Sequence, residues 1–175
     1  LILDTGFLGK VAFRAQTNSA SLNGNVIVRS GILEFQENNP VPGGPEGRQR
    51  PAVELAGGQL NINITALRGG NFQPGSADVA GPLTVTANSV LELNRKNTQD
   101  NGTPIASSRI WNGPITVNSG TTLSSTQYNA IGNLNLNGAT LSQSATGAGA
   151  FRGYQFLGTV TVGGTTPSVI SSSTG

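Results

Sequence analysis

The sequence predicts an all-β protein, a single-stranded, right-handed parallel β-helix (β-solenoid). Three observations lead there. A glycine-centred motif, with bulky residues two before and two and four after the glycine, recurs along the 175 residues. The apolar residues around it alternate with polar ones at the strand period of two, and no segment sustains a helical period. Successive motif starts fall roughly 19 to 32 residues apart, the range of a solenoid coil.

Taken in order, "FLGKVAF" sets Phe7, Val11 and Phe13 around Gly9. Leu22, Val26 and Val28 surround Gly24, and Val79, Leu83 and Val85 surround Gly81. Trp111, Ile115 and Val117 surround Gly113; Phe156, Val160 and Val162 surround Gly158. At Gly132 the later positions are Leu134 and Leu136, with the small Ala130 in the first slot. Each reads as strand, bend, strand. A second apolar pair follows each first pair after a turn-prone cluster. In "VIVRSGILEF" the residues Val26, Val28, Leu33 and Phe35 sit at offsets 0, 2, 7 and 9, and Val53, Leu55, Leu60 and Ile62 repeat them. Leu134, Leu136 and Leu141 keep the first three offsets, while Leu91, Leu93 and Leu123 come one residue later. The corners ("RSG", "AGG", "NSG", "NGA") are rich in Gly and Asn, which tolerate positive φ. An Asn-Gly pair also suits an antiparallel hairpin, and a sandwich is the structural alternative. Apolar residues that stay inward on both sides of each bend favour the coil.

Polar, Gly/Pro-rich insertions at 36–51, 68–78, 94–108 and 143–153 all follow the second apolar pair, so they are expected to leave the stack on one side. Pro82 and Pro114 take the first strand position, where a missing N–H does least harm. The reading is five or six coils, a rod about 25–30 Å tall at the inter-strand spacing. Residues 1–175 are taken as one solenoid domain or a fragment of a longer one, a mature or clipped piece with no signal peptide.

Charged residues are only 10% of the chain, which excludes charge-driven disorder. Ten scattered Lys and Arg give a net charge of +2 without the basic stripe that nucleic acid requires. Cysteine and histidine are absent, so disulfides, Cys/His zinc sites and Ser-His or Cys-His nucleophiles are excluded. No apolar run reaches a membrane span. The carboxylates are Asp4, Glu34, Glu37, Glu46, Glu54, Asp78, Glu92 and Asp100. Glu34, Glu54 and Glu92 each lie between apolar strand residues and are expected to face solvent. No pair is placed to flank a sugar as a glycosidase requires. No catalytic residue, cofactor or metal ligand is therefore assigned.

The residues flanking the inward ones are Thr84 and Thr86, Thr116 and Asn118, Asn135 and Asn137, and Thr159 and Thr161. Stacked, they form hydroxyl and amide ladders that solvate and stiffen the sheet. The sharper reading makes them a recognition surface for polysaccharide; ice would require Thr-x-Thr on every coil, and the asparagines break that spacing. Trp111, Tyr128, Phe151 and Tyr154 are candidate sugar-stacking aromatics, although Trp111 occupies a core slot.

"WNGPITVNSGTTL" and "VIVRSGILEF" resemble the autotransporter-associated β-strand repeats of bacterial surface and secreted proteins. The resemblance implies a β-helical, passenger-like region outside the cell, commonly a stalk or adhesive scaffold, with no shared catalytic residues. The expected function is a non-enzymatic extracellular scaffold. Its expected partners are copies of itself, stacked head to tail into filaments, or further coils of the same chain, and surface polysaccharide. The alternative is a carbohydrate-binding or polysaccharide-degrading β-helix.

Overall fold

The computed structural model describes residues 1–14, 24–36, 52–63, 81–93, 110–111, 113–126, 129–144 and 153–172. These form strands and turns without a helix. The strands are β1 (Ile2–Leu3), β2 (Lys10–Arg14), β3 (Val26–Val28), β4 (Ile32–Gln36), β5 (Val53–Ala56) and β6 (Gln59–Asn63). They continue with β7 (Leu83–Ala87), β8 (Ser89–Glu92), β9 (Ile110–Trp111), β10 (Ile115–Val117), β11 (Thr122–Ser125) and β12 (Asn129–Ile131). The last are β13 (Leu134–Asn137), β14 (Thr140–Gln143), β15 (Tyr154–Phe156), β16 (Val160–Gly163) and β17 (Val169–Ser172).

They assemble into three sheets. The first runs β1-β3-β5-β7-β10-β13-β16, the second β17-β14-β11-β8-β6-β4-β2, and the third β15-β12-β9. Every pairing among the described residues is parallel. Strands consecutive in sequence belong to different sheets, so the glycine-rich corners carry the chain from one sheet to the next instead of reversing it. The antiparallel alternative is thereby excluded for these residues. At the "RSG" corner Gly31 has φ +68, and a Cβ there would lie 2.7 Å from the Gly9 carbonyl oxygen. Only glycine fits, because the layers touch backbone to backbone at this corner.

The core follows from the period-two pattern. In the first sheet Leu3, Val28, Leu55, Val85, Val117, Leu136 and Val162 form one column. Val26, Val53, Leu83, Ile115, Leu134 and Val160 form the next. The interior members are buried, and each buried Leu or Ile contributes about 1.5–3 kcal/mol of apolar transfer. Pro82 and Pro114 precede β7 and β10, and their carbonyls accept N–H bonds from Val53 and Leu83 at 2.9 Å. The proline ring thus removes a donor where only an acceptor is used.

Four details differ from the sequence reading. The long sheets each hold seven strands, so there are seven layers, not five or six. "FLGKVAF" is not a first-sheet motif: Val11 stacks on Leu33 in β2 and β4 of the second sheet, and the equivalent stretch is "GILEF". In the third sheet Trp111, Ile131 and Phe156 form the column, whereas Ala130 was assigned the slot. Leu123 stands opposite Ser89, not Leu91, a slip of two residues between β8 and β11. An even slip keeps every side chain on its face, so the core survives it, and Ser125 and Gln143 become buried on the face of Leu123 and Leu141. The four insertions fall largely outside the described residues.

Candidate functional site

The surface singled out by the sequence is the outer face of the first sheet. Register there aligns Ile2, Ile27, Glu54, Thr84, Thr116, Asn135 and Thr161 in one outward column. Thr84, Thr116, Asn135 and Thr161 are therefore brought together as neighbours on successive strands. Alternation puts them outward, since Thr84, Thr116 and Asn135 are each flanked by core residues and Thr161 continues their row. Glu54 belongs to the same column, and its Oε1 accepts a hydrogen bond from the Thr86 hydroxyl at 2.8 Å. Thr86 lies beside a register shift after Leu55, so it bonds diagonally and not straight along a column.

The second expected column does not form. Asn137 pairs with Gly163, so no side chain continues the row. Asn118 follows β10, and its carbonyl accepts the Thr121 hydroxyl at 2.7 Å, closing the corner. Thr159 is displaced as well: its N–H donates to Asn133 Oδ1 at 3.0 Å, one turn of the strand pattern before the Asn135 row. Val160 stacks on Leu134, as the glycine-centred spacing has it, so Thr161 and not Thr159 continues the Asn135 row.

Several Asn and Ser side chains act instead as substitutes for ladder hydrogen bonds at corners. Thr122 N–H donates to Asn88 Oδ1 at 2.9 Å, and Gly57 N–H donates to Ser89 Oγ at the same distance. Asn129 is fully buried, its Nδ2 donates to the Leu91 carbonyl at 2.8 Å, and its Oδ1 accepts from Leu93 N–H at 3.0 Å. One side-chain amide thus mimics a peptide group where β11 has ended and β8 still needs a partner.

The carboxylates correct the sequence reading most sharply. Glu34 and Glu92 are buried, at 5% and 4% exposure, although they lie on the face of the second sheet opposite Leu33 and Leu91. Glu34, Asn61 and Glu92 share one column there. Glu34 Oε2 accepts from Lys10 Nζ at 3.2 Å and from Asn61 Nδ2 at 3.3 Å. Gln59 Nε2 in turn donates to Asn61 Oδ1 at 2.7 Å. Glu92 accepts from Ser125 Oγ at 3.1 Å and from the N–H and hydroxyl of Thr126 at 2.7 and 2.9 Å. These charge-assisted bonds offset desolvation. Period-two alternation gave the face of each glutamate correctly; it carries no information on whether that face is covered. Glu54, in the first sheet, is partly exposed.

Tyr154 sits beside this cluster. Its hydroxyl donates to the Ser142 carbonyl at 3.1 Å, and its ring stacks on Phe156 with centroids 6.3 Å apart. Burial, and then the negative charge of Glu92, push its phenol well above the ordinary tyrosine range. Trp111 is buried in the third sheet and unavailable for sugar stacking. Asp78, Asp100, Tyr128 and Phe151 lie outside the described residues. Among the described residues no group of three or more His, Cys, Asp or Glu side chains is placed to hold a metal. No helix among them is long and apolar enough to cross a membrane.

Compared with known protein families, with curated proteins and with solved structures, the chain matches none.

Proposed function

We propose that the chain is a right-handed parallel β-helix serving as a non-enzymatic adhesive scaffold outside the cell. The observation that carries this is the in-register aliphatic stack with its polar column outside. Parallel strands of one sheet connected by crossovers take the right-handed path almost without exception, which supplies the hand. Seven layers at the parallel spacing make a rod about 30 Å tall. Its interior is given to packing, and the two buried glutamates spend their hydrogen bonds on neighbouring strands, which suits a rigid support better than a reaction centre. The extracellular location rests on the likeness of the repeats to those of bacterial surface proteins.

The adhesive face is the column of Thr84, Thr116, Asn135 and Thr161. Hydroxyls and an amide at regular spacing on a flat sheet present alternating donors and acceptors, the chemistry that meets polysaccharide hydroxyls. A panel of immobilised surface polysaccharides tests this. The chain is expected to bind at least one, without shortening it. Thr116→Lys with Asn135→Lys is expected to weaken binding at least tenfold with the circular dichroism spectrum unchanged. Glycan cleavage, or binding indifferent to the double variant, would contradict the proposal.

A further inference from the structure

The outer face of the first sheet carries a second strip beside its hydroxyl column. The residue before each strand takes one repeated position: the carbonyls of Ala52, Pro82 and Pro114 accept from the N–H groups of Val26, Val53 and Leu83 in the layer below, at 3.0, 2.9 and 2.9 Å. Each of the three stands two residues before a member of the outward column. Alternation therefore sets Ala52 with Glu54, Pro82 with Thr84 and Pro114 with Thr116 on one face. Val53, Leu83 and Ile115, which separate these pairs, are buried, whereas both prolines are exposed. An apolar strip thus runs beside a strip of one carboxylate and two hydroxyls, about 6.6 Å away along the strands and repeating about every 4.8 Å.

The charge on this face is as selective as its shape. In β5, β7, β10, β13 and β16 the one charged side chain is Glu54, and the Thr86 hydroxyl, donating to its Oε1 at 2.8 Å, ties the carboxylate down on the face. Arg29, which follows β3, is neutralised by Asp4 at 2.9 Å. A strip whose net charge is negative repels nucleic acid and other polyanions. β5, β7 and β10 are each paired on both sides, so a peptide cannot dock here as an added strand. A pyranose suits both strips at once, because its C–H face is apolar and its rim carries hydroxyls. We infer that Ala52, Pro82 and Pro114 pack against the C–H faces of an uncharged polysaccharide whose hydroxyls meet Thr84, Thr116 and Glu54, and that Glu54 turns away acidic chains. The inference rests on the adhesive reading and names its class of ligand.

The probes are immobilised neutral glucan, mannan and galactan, each beside its carboxymethylated form. The chain is expected to bind at least one neutral polymer, and the carboxymethylated form of that polymer about threefold more weakly at low salt, the effect of like charges one or two layers apart in water. Glu54→Gln is expected to bring that ratio close to one. Pro82→Ser/Pro114→Ser should weaken binding of the neutral polymer about tenfold through lost apolar contact, with the circular dichroism spectrum unchanged. Pro82→Ala/Pro114→Ala, which keeps part of the apolar surface, should fall between the two. Binding that Thr116→Lys/Asn135→Lys abolishes but the serine pair leaves within twofold would overturn the role of the prolines while the adhesive reading stands. Preference for the carboxymethylated polymer, or a ratio that Glu54→Gln does not move, would overturn the role of Glu54. Binding to none of the six polymers would overturn the inference outright.

Discussion

Asn129 shows how much one side chain carries. It serves a buried carbonyl and a buried N–H at once, from Leu91 and Leu93. Asn129→Ala strands both groups, and at about 1–3 kcal/mol for each orphan the expected loss is about 2–6 kcal/mol, read from the urea midpoint. Asn129→Asp keeps the acceptor but not the donor and should also destabilise. Tyr154 gives a pH signature. Its phenol is held above its unfolded value by burial and by Glu92, so the folded state holds the proton more tightly. The stability this gives is complete below the ordinary tyrosine pKa and falls as pH rises toward the folded value. In a Tyr128→Phe background, phenolate absorbance should stay flat through the range where a free tyrosine titrates; an ordinary titration would contradict this. Asn129 was not legible as special, and Tyr154 was legible only as a candidate sugar-stacking aromatic, not as a buried phenol. Asn129 immediately precedes Ala130, the small residue of the Gly132 motif, and its role depends on β11 ending one layer away, which the spacing does not disclose. Glu34 and Glu92 were misread because alternation fixes a face without saying what covers it.

At the scale of strands, the sequence was most informative where two apolar residues flank one polar residue. The column of Leu55, Val85, Val117 and Leu136 was visible as spacing before it was visible as packing. Its energetic content depends on the layer. Leu136→Ala, inside the stack, is expected to cost about 2–5 kcal/mol, and Val162→Ala, in the same column but largely exposed, under about 1 kcal/mol. Comparable losses at both sites in denaturant titrations would mean that Val162 is covered as well. Register between layers was harder to read. The slip between β8 and β11 arises from corner length, and "TANS" and "NSGTT" do not disclose in sequence how many residues each corner consumes. The slot of Trp111 moved by a single residue, from Ala130 to Ile131, where both residues are buried and alternation gives no guide. Even offsets are easily missed because they preserve the inside–outside pattern on which the reading relies.

For the whole molecule, parallel pairing and the three-sheet alternation follow from one fact: apolar residues keep to one side across every corner, so the chain can advance layer by layer but cannot fold back. The outward Thr and Asn column and the column of Glu34, Asn61 and Glu92 are consequences of that stacking. It is tested most directly inside a single chain, with cysteines at Thr84 and Thr116, outward neighbours on β7 and β10. Oxidation of Thr84→Cys/Thr116→Cys in dilute solution should give a monomeric disulfide and, by closing a loop of about thirty residues, raise stability by about 4 kcal/mol. Failure of that pair to close, with Thr84→Cys/Asn118→Cys closing readily in its place, would show that these strands are not stacked in parallel register.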